Sequence, residues 1–321
     1  MSDLQVVLGG SGGIGGAVVR ELAARGHEVR AVSRHPAPTA PDGVRQHRAD
    51  VATRDGAATA CDGAAVVYHC LQPPYDRWAE ELPILNRTVS EAVARAGAKL
   101  VVADNLYMYA PISGPISEAS PQQPSSRKGR VRKEAADALL AAHAAGRIRV
   151  TIGRASDYYG PGGRNSIAGK TVFGAAVAGR TVRWPGNADQ PRTFSYLPDL
   201  ARALVTLGQS ATADGRAWIV PAAPPLTARA LVRLMELALG RRVKLVVTSK
   251  LAMRLAGLRI SQARELPDIW YQFEAPFVAD GSAFDAAFGA FAPTPHDEAV
   301  RETVAWFSSE ARSRGSASIR D

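Results

Sequence analysis

The sequence predicts an α/β fold, a doubly wound parallel sheet with a smaller C-terminal region. Three observations predict it. Short apolar runs alternate with helical stretches through the first half of the chain, the pattern of parallel strands covered by helices on both faces. The run Gly9 to Gly16 joins the first apolar stretch directly to the first helical one. Beyond about residue 160 the alternation gives way to turn-rich segments and isolated helices. With 321 residues, 46% of them hydrophobic, the chain can fill a large core as one domain or two unequal ones.

Residues 5–10 read as a short buried strand, and 17–26 as a helix ended by Gly26. Strands follow at 28–33, 44–50, 64–70, 99–105 and 149–155. Helices fall at 53–60, at 78–96 with Pro83 as a possible bend, and at 134–145. Residues 107–127 are proline-rich and read as loop. In the second half a short helix is expected at 167–178, a helix fed by residues 194–200 and running through Leu207, a strand at 217–220, helices at 227–239 and 247–256, and a last helix at 298–307. The expected division is a first domain over 1–160, completed by parts of 185–221. A lid made of 161–184 and 222–306 and a frayed polar tail at 308–321 complete the chain.

The glycine run carries the first functional inference. Strand, tight glycine turn and helix form the context of a phosphate-cradling loop. Gly9, Gly12 and Gly15 recur at every third position, with Gly13 and Ile14 between them. Glycine lets backbone approach an anion, and the first amides of a helix point at it. The loop therefore predicts a bound dinucleotide. The second strand ends in Ser33-Arg34 rather than in a carboxylate. An acid there would pair with the ribose hydroxyls of NAD, whereas an arginine suits a 2′-phosphate. This predicts NADP, with NAD the less favoured cofactor. Asp50 and Val51 end the third strand beside the expected adenine, and His69 ends the fourth, where a substrate contact is expected.

Charge and composition narrow the remaining classes. The net charge of +9 comes from 39 basic and 30 acidic residues. The basic residues are mostly dispersed, and the densest cluster, 127–133, lacks flanking aromatics for base stacking. No nucleic-acid partner is expected. Cys61 and Cys70 have no metal-spaced companions, so free thiols in a reducing, cytoplasmic setting are expected. No membrane partner is expected, since no long uncharged apolar stretch occurs. No metal is expected, His296 and Glu298 lacking ligand partners, and no Gly-x-Ser-x-Gly elbow marks a hydrolase.

Four motifs occur in order: Gly9-x-x-Gly12-x-x-Gly15, Asp50-Val51, residues 154–162 (RASDYYGPG) and residues 194–201 (FSYLPDLA). With these the chain resembles the extended short-chain dehydrogenase/reductases, the NAD(P)-dependent epimerase/dehydratase group, over roughly residues 4–306. The resemblance implies a Rossmann-type domain, a small C-terminal substrate domain, a small-molecule substrate and often a homodimer. It also implies a serine and a Tyr-x-x-x-Lys pair, in which the lysine holds the cofactor ribose and the tyrosine moves a proton. Matched to that pattern, Lys133 is the cofactor lysine, Gly129 stands where the tyrosine belongs and Asn105 where the serine belongs. Arg154 resembles a residue that stabilises the core between the domains.

Three accounts of such a site are open. In the first, another hydroxyl serves: Tyr107 shares a face with Asn105, while Tyr109, Tyr158 and Arg192 contact substrate, and Arg183 or Trp184 contacts substrate or adenine. Asn105, Tyr107 and Lys133 are then the catalytic set, and the reaction is NADP(H)-linked carbonyl reduction or its reverse. In the second, Gly129 leaves space for a bulky substrate, and the proton comes from water, a substrate group or another nearby residue, with Lys133 itself one candidate. In the third, the protein binds the dinucleotide as a sensor without chemistry. An epimerase or dehydratase that retains its cofactor is the alternative among enzymes.

Overall fold

The computed structural model describes residues 3–38, 40–109, 112–259 and 264–317. Six parallel strands carry the first half: β1 (Gln5–Leu8), β2 (Val29–Ser33), β3 (Val44–Arg48), β4 (Val66–His69), β5 (Lys99–Asp104) and β6 (Arg149–Arg154). Two short strands, β7 (Tyr158–Tyr159) and β8 (Val182–Pro185), leave this pattern. They are followed by β9 (Ser195–Tyr196), β10 (Ala217–Ile219) and β11 (Leu245–Thr248). The main sheet has the order β10-β6-β5-β4-β1-β2-β3, and every pairing in it is parallel. The strand order turns back between β1 and β4, which places a crevice at the carboxyl ends of those strands.

Side-chain alternation divides the sheet's two faces. Val6, Leu8, Leu100, Val102, Val150 and Ile152 point to one core. It is closed by α2 (Arg54–Cys61), α3 (Trp78–Ala96) and α4 (Arg127–Ala144). Val7, Val101 and Ala103 point to the other, under α1 (Gly13–Ala24) and α6 (Leu197–Gln209). A third core belongs to the C-terminal region. It packs Phe173, Trp184, Phe194 and Trp270 with residues of α7 (Ala228–Leu239) and of the last helix, His296–Ala317. The short helical turn α5 (Ala175–Val177) and the helix α8 (Lys250–Ala256) complete this region.

Several boundaries differ from the sequence reading, each for a physical reason. The fourth helix begins at Arg127, not at 134, because the Ser126 side chain caps it by accepting from the Gly129 amide at 2.9 Å. The stretch 167–178 contains a wide-turn π-helix over Gly169–Gly174 that runs into α5. Residues 245–248 are not helical but pair with β8 as a parallel strand. The last helix continues through Ala317, so most of the expected frayed tail is helical, and residues 318–321 lie outside the described residues. Ala110 and Pro111 of the proline-rich loop also lie outside them.

Two buried polar clasps hold the sheet to its helices. Lys99, only 3% exposed at the start of β5, donates to the Leu207 and Ser210 carbonyls and pairs with Asp214 at 2.5 Å. His69, at the end of β4, accepts the Leu71 amide at Nδ1 and donates from Nε2 to Asn86 Oδ1 of α3, 3.1 Å away. With both nitrogens engaged the ring is neutral, and burial holds its pKa down to about 4. Asp214→Asn leaves the Lys99 ammonium buried without its counter-charge and is expected to cost about 3 kcal/mol in urea unfolding. His69 binds protons more readily unfolded than folded, so its contribution is complete above the unfolded value of about 6.5 and fades as pH falls toward 4. The stability gap between wild type and His69→Gln is expected to shrink by about 3 kcal/mol from pH 7 to pH 4.

Candidate active site

The glycine run meets α1 at the crevice mouth. Gly9 has a φ of +85°, and its carbonyl accepts the Gly12 amide at 2.9 Å. At Gly15 a Cβ would lie 2.1 Å from the Gly9 oxygen, so no other residue fits this close approach. Gly12 caps α1 without any side-chain hydrogen bond, and no acidic residue stands in the first turn. The amides of Gly13, Ile14 and Gly15 thus open the helix with its positive end uncompensated. Gly13 packs against the Gly162 backbone, which ties the RASDYYGPG segment to this loop.

Along the crevice, Arg34 is exposed just past β2. Asp50 is exposed and closes a turn through Ala52 and Thr53, while Val51 is buried at 4%. The structure thus places these residues at one end of the glycine loop's sheet edge. His69 lies deeper, locked to Asn86, and its ring has no free nitrogen to offer a substrate.

At the other end, Asp104 ends β5 and is 4% exposed. Arg132 Nη1 donates to its Oδ1 and Arg154 Nε to its Oδ2, both at 3.3 Å. Arg132 is itself 4% exposed and lies over the Trp78 ring, 4.0 Å from its centroid. Its Nε–H is buried without a partner. One turn earlier on α4, Lys128 is 5% exposed. It pairs with Glu265 at 2.9 Å, donates to the Tyr75 carbonyl and sits over the Tyr75 ring at 4.0 Å. Asp268 accepts the Arg127 and Lys128 amides at 3.2 and 3.1 Å and so finishes the head of α4.

This arrangement bears on the residues expected along α4. Lys133 is half-buried and pairs along the helix with Asp137 at 2.6 Å. The inward stripe of α4 is Lys128, Arg132, Ala136 and Leu139, and Lys133 lies one residue off it. Gly129 leaves no space for a substrate, since a Cβ there would meet the Tyr107 carbonyl at 2.3 Å. Arg132 points into the protein, onto Asp104 and the Trp78 ring. The cluster of buried Asp104, Lys128 and Arg132 with half-buried Glu265 is not visible to a sequence reading that starts this helix at 134. Ser126 followed by a long helix-forming run was the available signal.

The remaining expected residues separate into accessible and structural ones. Asn105, 8% exposed, accepts the Tyr107 amide at Oδ1, 3.0 Å away, which leaves its NH₂ group as a donor. Tyr107 is half-buried beside Trp78, and burial pushes its phenol up to about 12. Tyr109 is fully buried, and its hydroxyl accepts from Arg154 at 2.8 Å. The Tyr158 hydroxyl donates to the Asp104 carbonyl at 2.8 Å, and burial shifts its pKa upward. Arg192, 1% exposed, grips Asp157, donates to the Gln272 carbonyl and lies between the Trp184 and Phe273 rings. Asp157 is the described non-glycine residue with positive φ, +28°, and burial raises its pKa against the pull of Arg192. Arg183 is exposed on β8. His296 is held by Tyr159 and the Pro224 carbonyl. Among the described residues no group of three metal-ligating side chains gathers, and no helix is long and apolar enough to cross a membrane.

Comparison with known proteins places this geometry. The sequence model of the NAD dependent epimerase/dehydratase family matches residues 5–220. The fold is similar to that of MoeE5 in complex with UDP-glucose and NAD, at TM-score 0.78 and 23% identity over 96% of this chain and 99% of that one. It is similar to UDP-glucuronic acid 4-epimerase from Bacillus cereus in complex with UDP-glucuronic acid and NAD, at TM-score 0.79 and 16% identity over 96% and 99%. The UDP-glucose 4-epimerase of Thermus thermophilus in complex with NAD gives 0.75 and 20% identity over 95% and 98%. No curated protein sequence matches the chain. The NADP expectation drawn from Arg34 is corrected by these findings, since the matching family is NAD dependent and these three structures carry NAD. An exposed guanidinium beside an adenine also stacks on the ring, so its presence does not require a 2′-phosphate. The chain belongs to the NAD dependent epimerase/dehydratase family.

Proposed function

We propose that the chain is an enzyme that keeps NAD bound and interconverts a sugar nucleotide, as an epimerase or a dehydratase does. Membership of a family of NAD-dependent enzymes supports chemistry over a purely sensory role. The observation that carries the reading is the tight turn at the head of α1, where Gly15 lies so close to the Gly9 carbonyl that only glycine fits and no side chain caps the helix. This geometry suits a pyrophosphate held by the amides of Gly13, Ile14 and Gly15, with Gly9 and Gly12 shaping the turn. Val51, Asp50 and Arg34 would flank the adenine. At the far end, the unpartnered Nε–H of Arg132 is a spare buried donor for a ribose hydroxyl. NAD, when bound, supplies a reversible hydride acceptor. The sugar-nucleotide class is supported by the UDP-sugars in the similar structures.

Lys128 and Arg132 have the spacing that the family resemblance gives to Tyr-x-x-x-Lys, and both are buried on the inward stripe of α4. In this reading Arg132 takes the lysine's place and Lys128 the tyrosine's. The Asn105 amide steadies the substrate oxygen. Tyr107, protonated at neutral pH, donates a second hydrogen bond to it. The proton of the substrate hydroxyl moves to the Lys128 amine as Lys128 passes its own to Glu265, the carboxylate beside it. Tyr109, Tyr158 and Arg192 hold the walls of the pocket in place.

Denatured protein is expected to release NAD in near-stoichiometric amount, and UDP-glucose or UDP-glucuronic acid to be converted without net NADH accumulation, followed by NMR of the sugar. Gly15→Ala is expected to abolish bound NAD. Lys128→Met is expected to retain NAD but lower kcat about a hundredfold or more, whereas Lys133→Ala changes neither. A preparation free of nucleotide that also fails to bind added NAD would overturn the reading.

A further inference from the structure

Seven lysines and arginines and no aspartate or glutamate lie from Leu237 through Arg264. This one stretch supplies most of the chain's net charge of +9. Among the described residues it also holds all the exposed large apolar side chains except Ile84. Three of them stand on α8 and the turn that follows: Leu251 at 67%, Leu255 at 60% and Leu258 at 77% exposure. The turn continues the helical path, since Gly257 donates to the Met253 carbonyl at 3.0 Å and Leu258 to that of Leu255 at 3.2 Å. At about 100° per residue the three leucines fall within about 60° of arc. Lys250 and Arg254 flank that arc on one side and Arg259 on the other, all of them exposed. Met253 faces the opposite way and packs on the C-terminal core.

We infer that α8 and its following turn form a docking surface for an anionic lipid bilayer, with the leucines entering the interface and the cations meeting lipid headgroups. A leucine stripe bordered by cations is the arrangement of a helix lying in a membrane interface. Charge complementarity selects this occupant. A second copy of the chain would bring the same cations against these cations. A neutral apolar groove would leave them unpaired. Such docking needs no spanning helix. The sequence reading expected no membrane partner because it looked only for a span, and these leucines are too few and too spaced for one. The inference does not depend on the reaction proposed above.

The test is co-sedimentation of the full chain with vesicles of phosphatidylserine and phosphatidylcholine, against vesicles of phosphatidylcholine alone. Partition is expected to be about tenfold higher with the anionic lipid and to fall as salt rises. The triple variant Leu251→Ser/Leu255→Ser/Leu258→Ser is expected to lose about tenfold in partition with an unchanged circular dichroism spectrum. Ile84→Ser, an exposed apolar site elsewhere, is expected to lose none. Reversing the charges in Lys250→Glu/Arg254→Glu/Arg259→Glu supplies a second route if the serine variant misfolds, and is expected to abolish binding. Failure to sediment with anionic vesicles at low salt would overturn the inference. So would equal binding by the leucine or charge variants, or a dimer in solution that the leucine variant dissociates. Capture of an acidic protein in place of lipid would overturn it as well.

Discussion

One carboxylate holds the candidate site together. Asp104 ends β5 among apolar residues and draws Arg132 from α4 and Arg154 from β6 onto its two oxygens. Its backbone carbonyl anchors Tyr158 and the Ala155 amide. Two guanidiniums buried at this depth require an acceptor, and breaking one partner from such a set is far costlier than never having buried it. Asp104 therefore fixes which face of α4 looks inward. Lys128 follows from it by helical geometry, one turn back and on the same face.

The fold was legible in the sequence where local signals and the global architecture agree. The main strands alternate between two cores, and their apolar runs announced them. The Gly9–Gly15 spacing announced the cradle because the close approach at Gly15 admits no side chain. The buried charges at the head of α4 were not legible, because their register depends on an ion network that no local pattern displays. The resemblance puts the tyrosine and lysine positions at Gly129 and Lys133, whereas the buried charged side chains of α4 are Lys128 and Arg132. In the same way Arg34 stood where its type suggested a phosphate, yet a strand-end arginine has more than one use. The leucines of α8 were readable as a helix but not as an exposed one, since burial is set by what packs on a face rather than by the face itself.

Polar groups in this protein divide into those that carry the fold and those left over. His69, Lys99, Arg154 and Arg192 spend their hydrogen bonds on neighbouring strands and helices. Asn105 keeps its NH₂ group and Arg132 its buried Nε–H as donors. The division explains why several residues that look chemical in a sequence prove to be scaffolding. A histidine or arginine at a strand end is costly to bury unless the surrounding fold satisfies it, and once satisfied it has nothing to offer a ligand.

The head of α4 is finished by a residue far along the chain. Ser126 caps the Gly129 amide locally, but the Arg127 and Lys128 amides are accepted by Asp268. During synthesis the parallel sheet can be complete, with β10 in place, before Asp268 has emerged. The first turn of the helix that carries Lys128 then lacks its acceptor, and Lys128 lacks Glu265. The N-terminal unit would be folded but not yet in working order. Its last turn of assembly is set by the arrival of the C-terminal region, so the order of translation separates the acquisition of shape from the acquisition of the site.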